Sequence, residues 1–206
     1  MKKLFLTSSA SHVVSDIFKR INKKNFKLVF VTTASETKEG DLEWLKRDRD
    51  ALVKCGFIVT DYTFTGKTRT EIEKVLNQSD VLYMSGGNVF YLLQVIQQSG
   101  CGEVIRKFVE QGKIYIGSSA GSIVAGPDIY PVHRLDTVKD APLLKDYEGL
   151  GLVDVVIFPH WGSEHFKDRY LNQRLEHAYN MKNKIILLTD KQYLLVENDF
   201  YKIIEV

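Results

Sequence analysis

Cysteine and proline are both scarce in this chain of 206 residues, and each scarcity narrows the class of protein. The two cysteines, Cys55 and Cys101, are too few for a disulfide framework and are typical of thiols in a reducing compartment. The four prolines form no Pro/Gly-rich linker, so we expect a single domain over residues 1–206. The composition therefore favours a cytoplasmic globular protein.

Strong charge imbalance and long apolar runs are also missing. The sequence has 28 Lys and Arg against 26 Asp and Glu, a formal net charge of +2, which makes nucleic acid a weak partner. No apolar run approaches the roughly 18 residues of a membrane helix, and the first residues do not form a signal-peptide core. No H-E-x-x-H or C-x-x-C spacing is present. We expect no membrane, metal or other cofactor.

Short segments rich in Val, Ile, Phe and Tyr alternate with helical segments along the chain. This alternation predicts an α/β fold with a doubly wound, mostly parallel sheet, followed by a C-terminal hairpin. The predicted strands are 4–7, 28–32, 58–63, 81–85, 114–117, 155–159 and 185–188, with hairpin strands 193–196 and 201–204. The predicted helices are 11–21, 41–55, 89–98, 103–111 and 167–179, with one more that begins at a Thr70–Glu73 capping box. The unpatterned segment 125–151 is long enough to predict a functional loop.

Gly117, Ser119 and Gly121 form a G-x-S-x-G pattern between a predicted strand and a predicted helix. In a nucleophile elbow the serine lies on a strained strand-to-helix turn, and side chains at the two glycines would collide with neighbouring backbone. The N-terminus of the following helix then points free N–H groups at a developing oxyanion. The alternative is a Gly- and Ser-rich turn without chemistry, but its position between strand and helix favours Ser119 as a nucleophile.

A second glycine turn, at residues 85–88, ends the predicted strand 81–85. The carboxyl ends of strands in an open α/β sheet share one edge, so this turn can lie beside Ser119. Its backbone N–H groups can supply half of an oxyanion hole. Asn88 can equally cap the next helix, and the two roles are compatible.

A general base for Ser119 must come from one of five histidines: His12, His133, His160, His165 and His177. His160 directly follows the strongly apolar strand 155–159, which would deliver it to the same sheet edge as Ser119. His12 and His177 fall in predicted helices and are interpreted as surface residues. His133 and His165 lie in predicted loops and are candidate substrate contacts.

An acid must orient that histidine and stabilise its protonated form. Asp190 follows the predicted strand 185–188 and is the first candidate. Asp140 in the unpatterned segment and Glu164 shortly after His160 are alternatives. A strand-end aspartate can also be a plain turn residue.

These motifs together resemble the peptidase E family of serine peptidases, which comprises aspartyl dipeptidases and is related to cyanophycinases. The matching residues are 85–88 followed by Phe90, then 115–122, then Pro159–His160. The resemblance implies a fold like the class I glutamine amidotransferase domain, which is flavodoxin-like, and a cytoplasmic, cofactor-free Ser–His–acid hydrolase. It assigns the nucleophile to Ser119, the base to His160, and the oxyanion donors to Gly87 and Ala120. The family carries a glutamate at the strand end that corresponds to Asp190.

The resemblance also bears on the substrate, a small peptide. The family recognises an aspartyl carboxylate with an arginine in the helix after the histidine, but that position falls on Leu171 here. Arg169 and Arg174 flank it and can bind a carboxylate in a fork, while His133 and Arg134 offer further positive charge. The candidate substrate-binding residues are therefore Asn88, Arg169 and Arg174.

Two other functions compete with a dipeptidase, and the oligomeric state stays open between a monomer and a homodimer. One is a related hydrolase of another amide or ester. The other is a small-molecule-binding module, disfavoured because the first strand–helix turn lacks both G-x-G-x-x-G and a Walker lysine pattern.

Overall fold

A computed structural model describes residues 1–21, 25–133, 138–179 and 181–206 of the chain. A seven-stranded sheet in the order β3-β2-β4-β5-β1-β8-β9 forms the centre, and β6 and β7 form a separate parallel pair. The strands are β1 Lys3–Thr7, β2 Lys27–Val31, β3 Ile58–Tyr62, β4 Val81–Met84, β5 Ile114–Ser118, β6 Val156–Phe158, β7 Ile185–Leu187, β8 Gln192–Glu197 and β9 Phe200–Glu205.

The helices lie between the strands, as the alternating sequence pattern predicts. They are α1 Ala10–Ile21, α2 Glu43–Cys55, α3 Arg69–Asn77, α4 Val89–Ser99, α5 Gly102–Glu110, α6 Ala120–Val124, α7 Glu164–Arg169 and α8 Leu175–Ala178. A π-helical segment, Tyr170–Arg174, joins α7 to α8. Short 3-10 turns cover Thr33–Ser35, Tyr130–Val132 and Val138–Asp140.

The central sheet is mixed and mostly parallel. The strands β1 to β5 pair in parallel, whereas β8 pairs antiparallel with β1 and β9 pairs antiparallel with β8. Parallel strands have both faces covered and therefore consist almost entirely of buried apolar residues, as the patterns of β4 and β5 show. The predicted α/β class with a mostly parallel sheet is confirmed.

Alternate side chains of each strand enter two separate hydrophobic cores. On one face Phe5, Phe30 and Ile116 pack with apolar residues of α1 and α2. On the other face Leu6 and Val29 pack with residues of α3, α4, α5 and α6 and with the β6–β7 pair. Because this second core includes β6 and β7, the small sheet is fixed against the large one, although the described residues of the two sheets share no strand pairing.

Two expectations about local structure need correction. The strands that carry His160 and Asp190 lie outside the main sheet, since β6 and β7 pair only with each other. The capping box of α3 is formed by Thr68 and Glu71, two residues before the expected Thr70 and Glu73. The sequence T-R-T-E-I-E contains two overlapping boxes, and starting at Thr68 adds two residues to the helix.

Candidate active site

Ser119 lies in the sharp turn between β5 and α6, with φ 48° and ψ −106°. A positive φ is uncommon for a non-glycine residue and marks backbone strain. A Cβ on Gly117 would lie 2.7 Å from the Gly121 carbonyl carbon, and one on Gly121 would lie 2.1 Å from the Met84 carbonyl oxygen. Both glycines are therefore required sterically, as the G-x-S-x-G pattern predicts. The turn has the geometry expected of a nucleophile elbow.

A chain of hydrogen bonds joins Ser119, His160 and Asp190. His160 Nδ1 lies 2.6 Å from Asp190 Oδ1, and His160 Nε2 lies 3.0 Å from Ser119 Oγ. The hydrogen bond from His160 lowers the pKa of Asp190, against the opposing effect of burial. An ionised Asp190 accepts from Nδ1, which leaves Nε2 to accept the Ser119 hydroxyl proton. The three residues that separate motifs predict as nucleophile, base and acid thus lie within hydrogen-bond distance of one another, with His160 in the middle.

Ser8, at the carboxyl end of β1, fixes the position of His160. Its hydroxyl donates to the Leu188 carbonyl at 2.8 Å and accepts from the His160 backbone N–H at 3.1 Å. His160 has a positive φ of 62°, and its ring stacks on Phe166 with 4.7 Å between centroids and 10° between planes. The role of Ser8 was not predicted from the sequence, because its two hydrogen-bond partners are 152 and 180 residues away along the chain.

The predicted oxyanion donors lie on two turns that border Ser119. Ala120 is the first residue of α6, so its N–H has no acceptor within that helix. Gly87 has φ +134°, and a Cβ there would lie 2.0 Å from the Ala34 carbonyl oxygen. Only glycine fits at this position, since the backbone approaches another loop closely in a conformation that other residues rarely adopt. The turn itself lies beside Ser119, since a Cβ on the neighbouring Gly86 would lie 3.3 Å from Ser119 Cβ.

A buried carboxylate, Asp48 of α2, lies behind the elbow. Its Oδ2 accepts from Tyr83 Oη at 2.6 Å and from Ser118 Oγ at 3.1 Å, and its Oδ1 accepts from the Ser11 N–H at 2.8 Å. Burial first, and then the Asp48 charge, raise the pKa of Tyr83 well above its usual value, so the phenol stays a donor. Asp48 ties α2 to β4, to the start of α1 and to the residue before Ser119. No sequence motif pointed to it.

A cavity of about 540 Å³ opens over Ser119. Its wall includes the predicted residues Ser119, His160, Asp190 and Gly87, and two of the candidate contacts, His165 and Arg169. Other lining residues come from the segment before α2 and from α2 itself: Lys38, Glu39, Asp41, Leu42, Trp44, Arg47 and Asp48. His12, interpreted as a surface residue, also lines the cavity, where its Nδ1 lies 2.8 Å from Ser9 Oγ.

Two predicted substrate contacts lie elsewhere. Arg174 is fully buried, with its guanidinium 4.4 Å from the Tyr170 ring centroid and 5.0 Å from that of Phe158, and it does not line the cavity. Asn88 is also fully buried; its Oδ1 accepts from the N–H groups of Phe90 and Tyr91, so it caps α4. Neither side chain lines the cavity, so the structure does not bring these two predicted substrate contacts to Ser119.

The alternative acids are also away from His160. Asp140 accepts from Asn88 Nδ2 at 2.9 Å, and Glu164 is highly exposed and pairs with Lys167. His133 packs among Phe90, Tyr130, Tyr147 and His177, apart from the cavity. Arg134 lies outside the described residues.

Leu171, the position that the resemblance matches to an arginine, also lies outside the main cavity. Leu171 is half exposed and lines a smaller cavity of about 220 Å³ beside Trp161 and Tyr170. It belongs to the π-helical segment, which changes the direction of side chains relative to a regular α-helix. Arg169, the last residue of α7, is the arginine of this region that reaches the main cavity.

Two other kinds of site are absent from the described part of the chain. No group of three or more His, Cys, Asp or Glu side chains there is placed to hold a metal ion. No helix among those residues has both the length and the apolar composition to cross a membrane.

Comparison with known proteins decides the family. The model of peptidase family S51 matches residues 4–204. The chain belongs to peptidase family S51. An uncharacterized peptidase of Pasteurella multocida is 32% identical over 201 residues, covering 97% of this chain and 95% of that one. A Drosophila melanogaster protein named "Probable alpha-aspartyl dipeptidase" is 32% identical over 171 residues, covering 79% of this chain and 65% of that protein.

The fold of this S51 member matches that of a solved relative. The crystal structure of a protein from Listeria monocytogenes EGD-e, described as a "Putative Peptidase E Protein", superimposes with a TM-score of 0.91 at 28% identity, over 100% of this chain and 99% of the other. The predicted resemblance to peptidase E and the predicted enzyme class, a serine-type peptidase, are confirmed.

Proposed function

We propose that this S51 member cleaves small peptides, and dipeptides with an N-terminal aspartyl residue in particular, through Ser119, His160 and Asp190. The observation that carries the proposal is the hydrogen-bonded chain from Asp190 through His160 to Ser119. It ends on a strained serine that faces the 540 Å³ cavity.

The proposed reaction begins when Ser119 Oγ attacks the scissile carbonyl carbon and His160 Nε2 takes the hydroxyl proton. Asp190 holds the imidazolium through Nδ1, while the N–H groups of Gly87 and Ala120 donate to the oxyanion. The carbon–nitrogen bond then breaks, and His160 gives its proton to the leaving amine. Water attacks the acyl-enzyme with His160 again as base, which releases the acid and restores Ser119.

The aspartyl preference is proposed from the cavity and from the relatives. Arg169 brings a permanent positive charge to the wall formed by α7, and its guanidinium lies 6.0 Å from the Phe166 ring that stacks on His160. A guanidinium binds a carboxylate through charge-assisted hydrogen bonds, which are stronger than neutral ones. The names of several relatives, peptidase E and alpha-aspartyl dipeptidase, agree with such a substrate.

Labelling with a fluorophosphonate tests the chemistry directly. The probe should modify Ser119, as shown by peptide mapping, and Ser119→Ala should abolish both labelling and hydrolysis while Ser118→Ala retains both. Modification of another serine, or normal hydrolysis by Ser119→Ala, would refute the assignment.

Comparing kcat/KM for Asp-Leu, Asn-Leu and Leu-Leu tests the substrate preference. Asp-Leu should exceed Asn-Leu by roughly tenfold or more, because a charge-assisted hydrogen bond from a guanidinium to a carboxylate is stronger than one to a neutral amide. Equal values would reject the aspartyl preference but not the serine peptidase, which would then have another amide as its substrate.

The proposed location is the cytoplasm, since Cys55 and Cys101 are free thiols.

A further inference from the structure

Helix α2 presents a stripe of functional side chains to the nucleophile. Trp44, Arg47 and Asp48 are spaced i, i+3 and i+4, so they share one face of the helix, and all three line the main cavity. The position that a Cβ on Gly86 would take lies 3.3 Å from both the Trp44 ring and Ser119 Cβ. Asp48 bonds to Ser118 at 3.1 Å. The Asp48–Ser118 hydrogen bond thus holds the helix face that carries Arg47 at the elbow, and Trp44 places the same face beside the Gly86 turn.

Arg47 is the charged member of this stripe that is available to a ligand. Its side chain is exposed at the cavity, while the Asp48 carboxylate is already occupied by three donors. Within the described ranges no carboxylate forms an ion pair with Arg47. A guanidinium in such a position can accept a bidentate carboxylate.

The cavity therefore has permanent cations on two different walls. Arg169 lies on the α7 wall, on the side of Phe166 and the His160 ring, and Arg47 lies on the α2 wall, on the side of Trp44 and Gly86. These walls belong to elements separated by more than a hundred residues of sequence, and Ser119 lies in the same cavity with both.

An aspartyl dipeptide has a matching distribution of charge. Its side-chain carboxyl carbon is three bonds from the scissile carbonyl carbon, through Cα and Cβ. Its C-terminal carboxyl carbon is also three bonds away, through the amide nitrogen and the next Cα. The substrate thus carries two carboxylates, each three bonds from the scissile carbonyl carbon and on opposite sides of the bond that breaks. A site that binds both carboxylates needs a cation on each side of the nucleophile.

We propose that Arg47 binds one of the two carboxylates of the dipeptide, so that α2 forms a second anion-binding wall opposite Arg169. This inference rests on the proposed function and extends it: the enzyme selects doubly carboxylated dipeptides, and a longer or C-terminally blocked peptide loses one of the two contacts. The group that Arg47 binds is a carboxylate, and the two candidates for it are the aspartyl side chain and the C-terminus of the dipeptide.

The test compares three substrates, Asp-Leu, Asp-Leu-amide and Asn-Leu, on the wild type, Arg47→Ala and Arg47→Lys. Each uncharged analogue removes one carboxylate, so the ratio of kcat/KM for Asp-Leu to that analogue measures recognition of that group. In the wild type both ratios should be about ten- to hundred-fold, the range of a charge-assisted hydrogen bond. In Arg47→Ala one ratio should fall to near one, and Arg47→Lys should restore part of it.

The matched control is Lys46→Ala, which removes a positive charge from the neighbouring, exposed position of α2 that does not line the cavity. It should leave both ratios as in the wild type. A collapse of the Asp-Leu to Asp-Leu-amide ratio in Arg47→Ala identifies the C-terminus as the ligand, and a collapse of the Asp-Leu to Asn-Leu ratio identifies the side chain. Equal loss on all three substrates, or unchanged ratios, overturns the inference.

Failure of this inference is distinct from failure of the proposed function. If the fluorophosphonate modifies Ser119 and the peptides are cleaved, but Arg47→Ala keeps both ratios, only the second anion-binding wall is rejected. If no variant and no wild-type protein reacts with the probe or cleaves any peptide, the proposed function itself is rejected.

Discussion

Backbone strain at Ser119 predicts an unusual order of stability among inactive variants. With φ 48° and ψ −106°, Ser119 has torsions close to those of the first central residue of a type II′ turn, where glycine is preferred. Replacing Ser119 with Ala or with Gly removes the same hydroxyl and the same hydrogen bond to His160 Nε2. The two variants therefore differ mainly in the Cβ atom and in the backbone freedom it restricts.

The expected difference follows from two opposing effects. An L-residue in such a sparsely populated region is strained by about 1–3 kcal/mol, and glycine relieves most of that strain. Glycine also gains entropy in the unfolded chain, which costs about 0.4–1 kcal/mol of stability. Strain is the larger effect, so Ser119→Gly should be more stable than Ser119→Ala by roughly 1 kcal/mol. For a chain of this size that difference corresponds to a Tm about 2–4 °C higher.

Urea unfolding of both variants, followed by circular dichroism, measures the difference. The matched control is Ser15, an exposed residue in α1 with ordinary helical geometry, where glycine should be less stable than alanine by about 1 kcal/mol. The order of the two variants should thus reverse between positions 119 and 15. If alanine is as stable as glycine at position 119, the elbow stores no strain and the reasoning is wrong.

The remaining predictions concern the acid and the elbow glycine. The His160 hydrogen bond lowers the pKa of Asp190, so the carboxylate contributes its full stability above the unfolded pKa of about 3.9 and loses it as pH falls through the lower folded pKa. The Tm difference between wild type and Asp190→Asn should shrink on acidification below about pH 4; a constant difference would contradict the shift. Gly121→Ala places a Cβ 2.1 Å from the Met84 carbonyl oxygen and should cost several kcal/mol in urea unfolding, whereas Gly66→Ala, with φ +70° in open space, should cost about 1 kcal/mol. Similar losses at the two glycines would show that the elbow relaxes.

The order of elements and the elbow were predictable because their signals are local. Buried parallel strands read as short apolar runs, and helices end at residues such as Gly56, which has φ +104° at the end of α2. The G-x-S-x-G pattern is local too, since Gly117 and Gly121 face each other across one turn. Predicted and observed strands differ by at most one residue at either end.

Residues whose roles depend on distant partners could not be predicted. Asp48 is an ordinary helical aspartate in the sequence, and only the fold brings it to Ser118, which is 70 residues away. Arg174 illustrates the opposite error, because it was predicted to contact the substrate from its place in the sequence alone. In the structure its guanidinium faces the rings of Tyr170 and Phe158, at the end of the π-helical segment. No local sequence pattern predicts the π-helical segment, so the directions of the side chains that follow Arg169 could not be predicted from the sequence.

His160 and Asp190 were identified from the carboxyl ends of their strands, although those strands lie outside the main sheet. The two residues lie together because β6 and β7 are parallel and in register, with Phe158 opposite Leu187, so the residues that follow these strands emerge at one edge. Histidine and aspartate thus meet through the small sheet alone. Ser8 aligns His160 and Asp190 with Ser119. The Ser8 hydroxyl accepts from the His160 N–H and donates to the Leu188 carbonyl. Ser8 follows β1, which pairs with β5, the strand that leads to Ser119. The proposed base and acid are therefore set as one unit, and the Ser8 hydroxyl ties that unit to the strand neighbouring the proposed nucleophile.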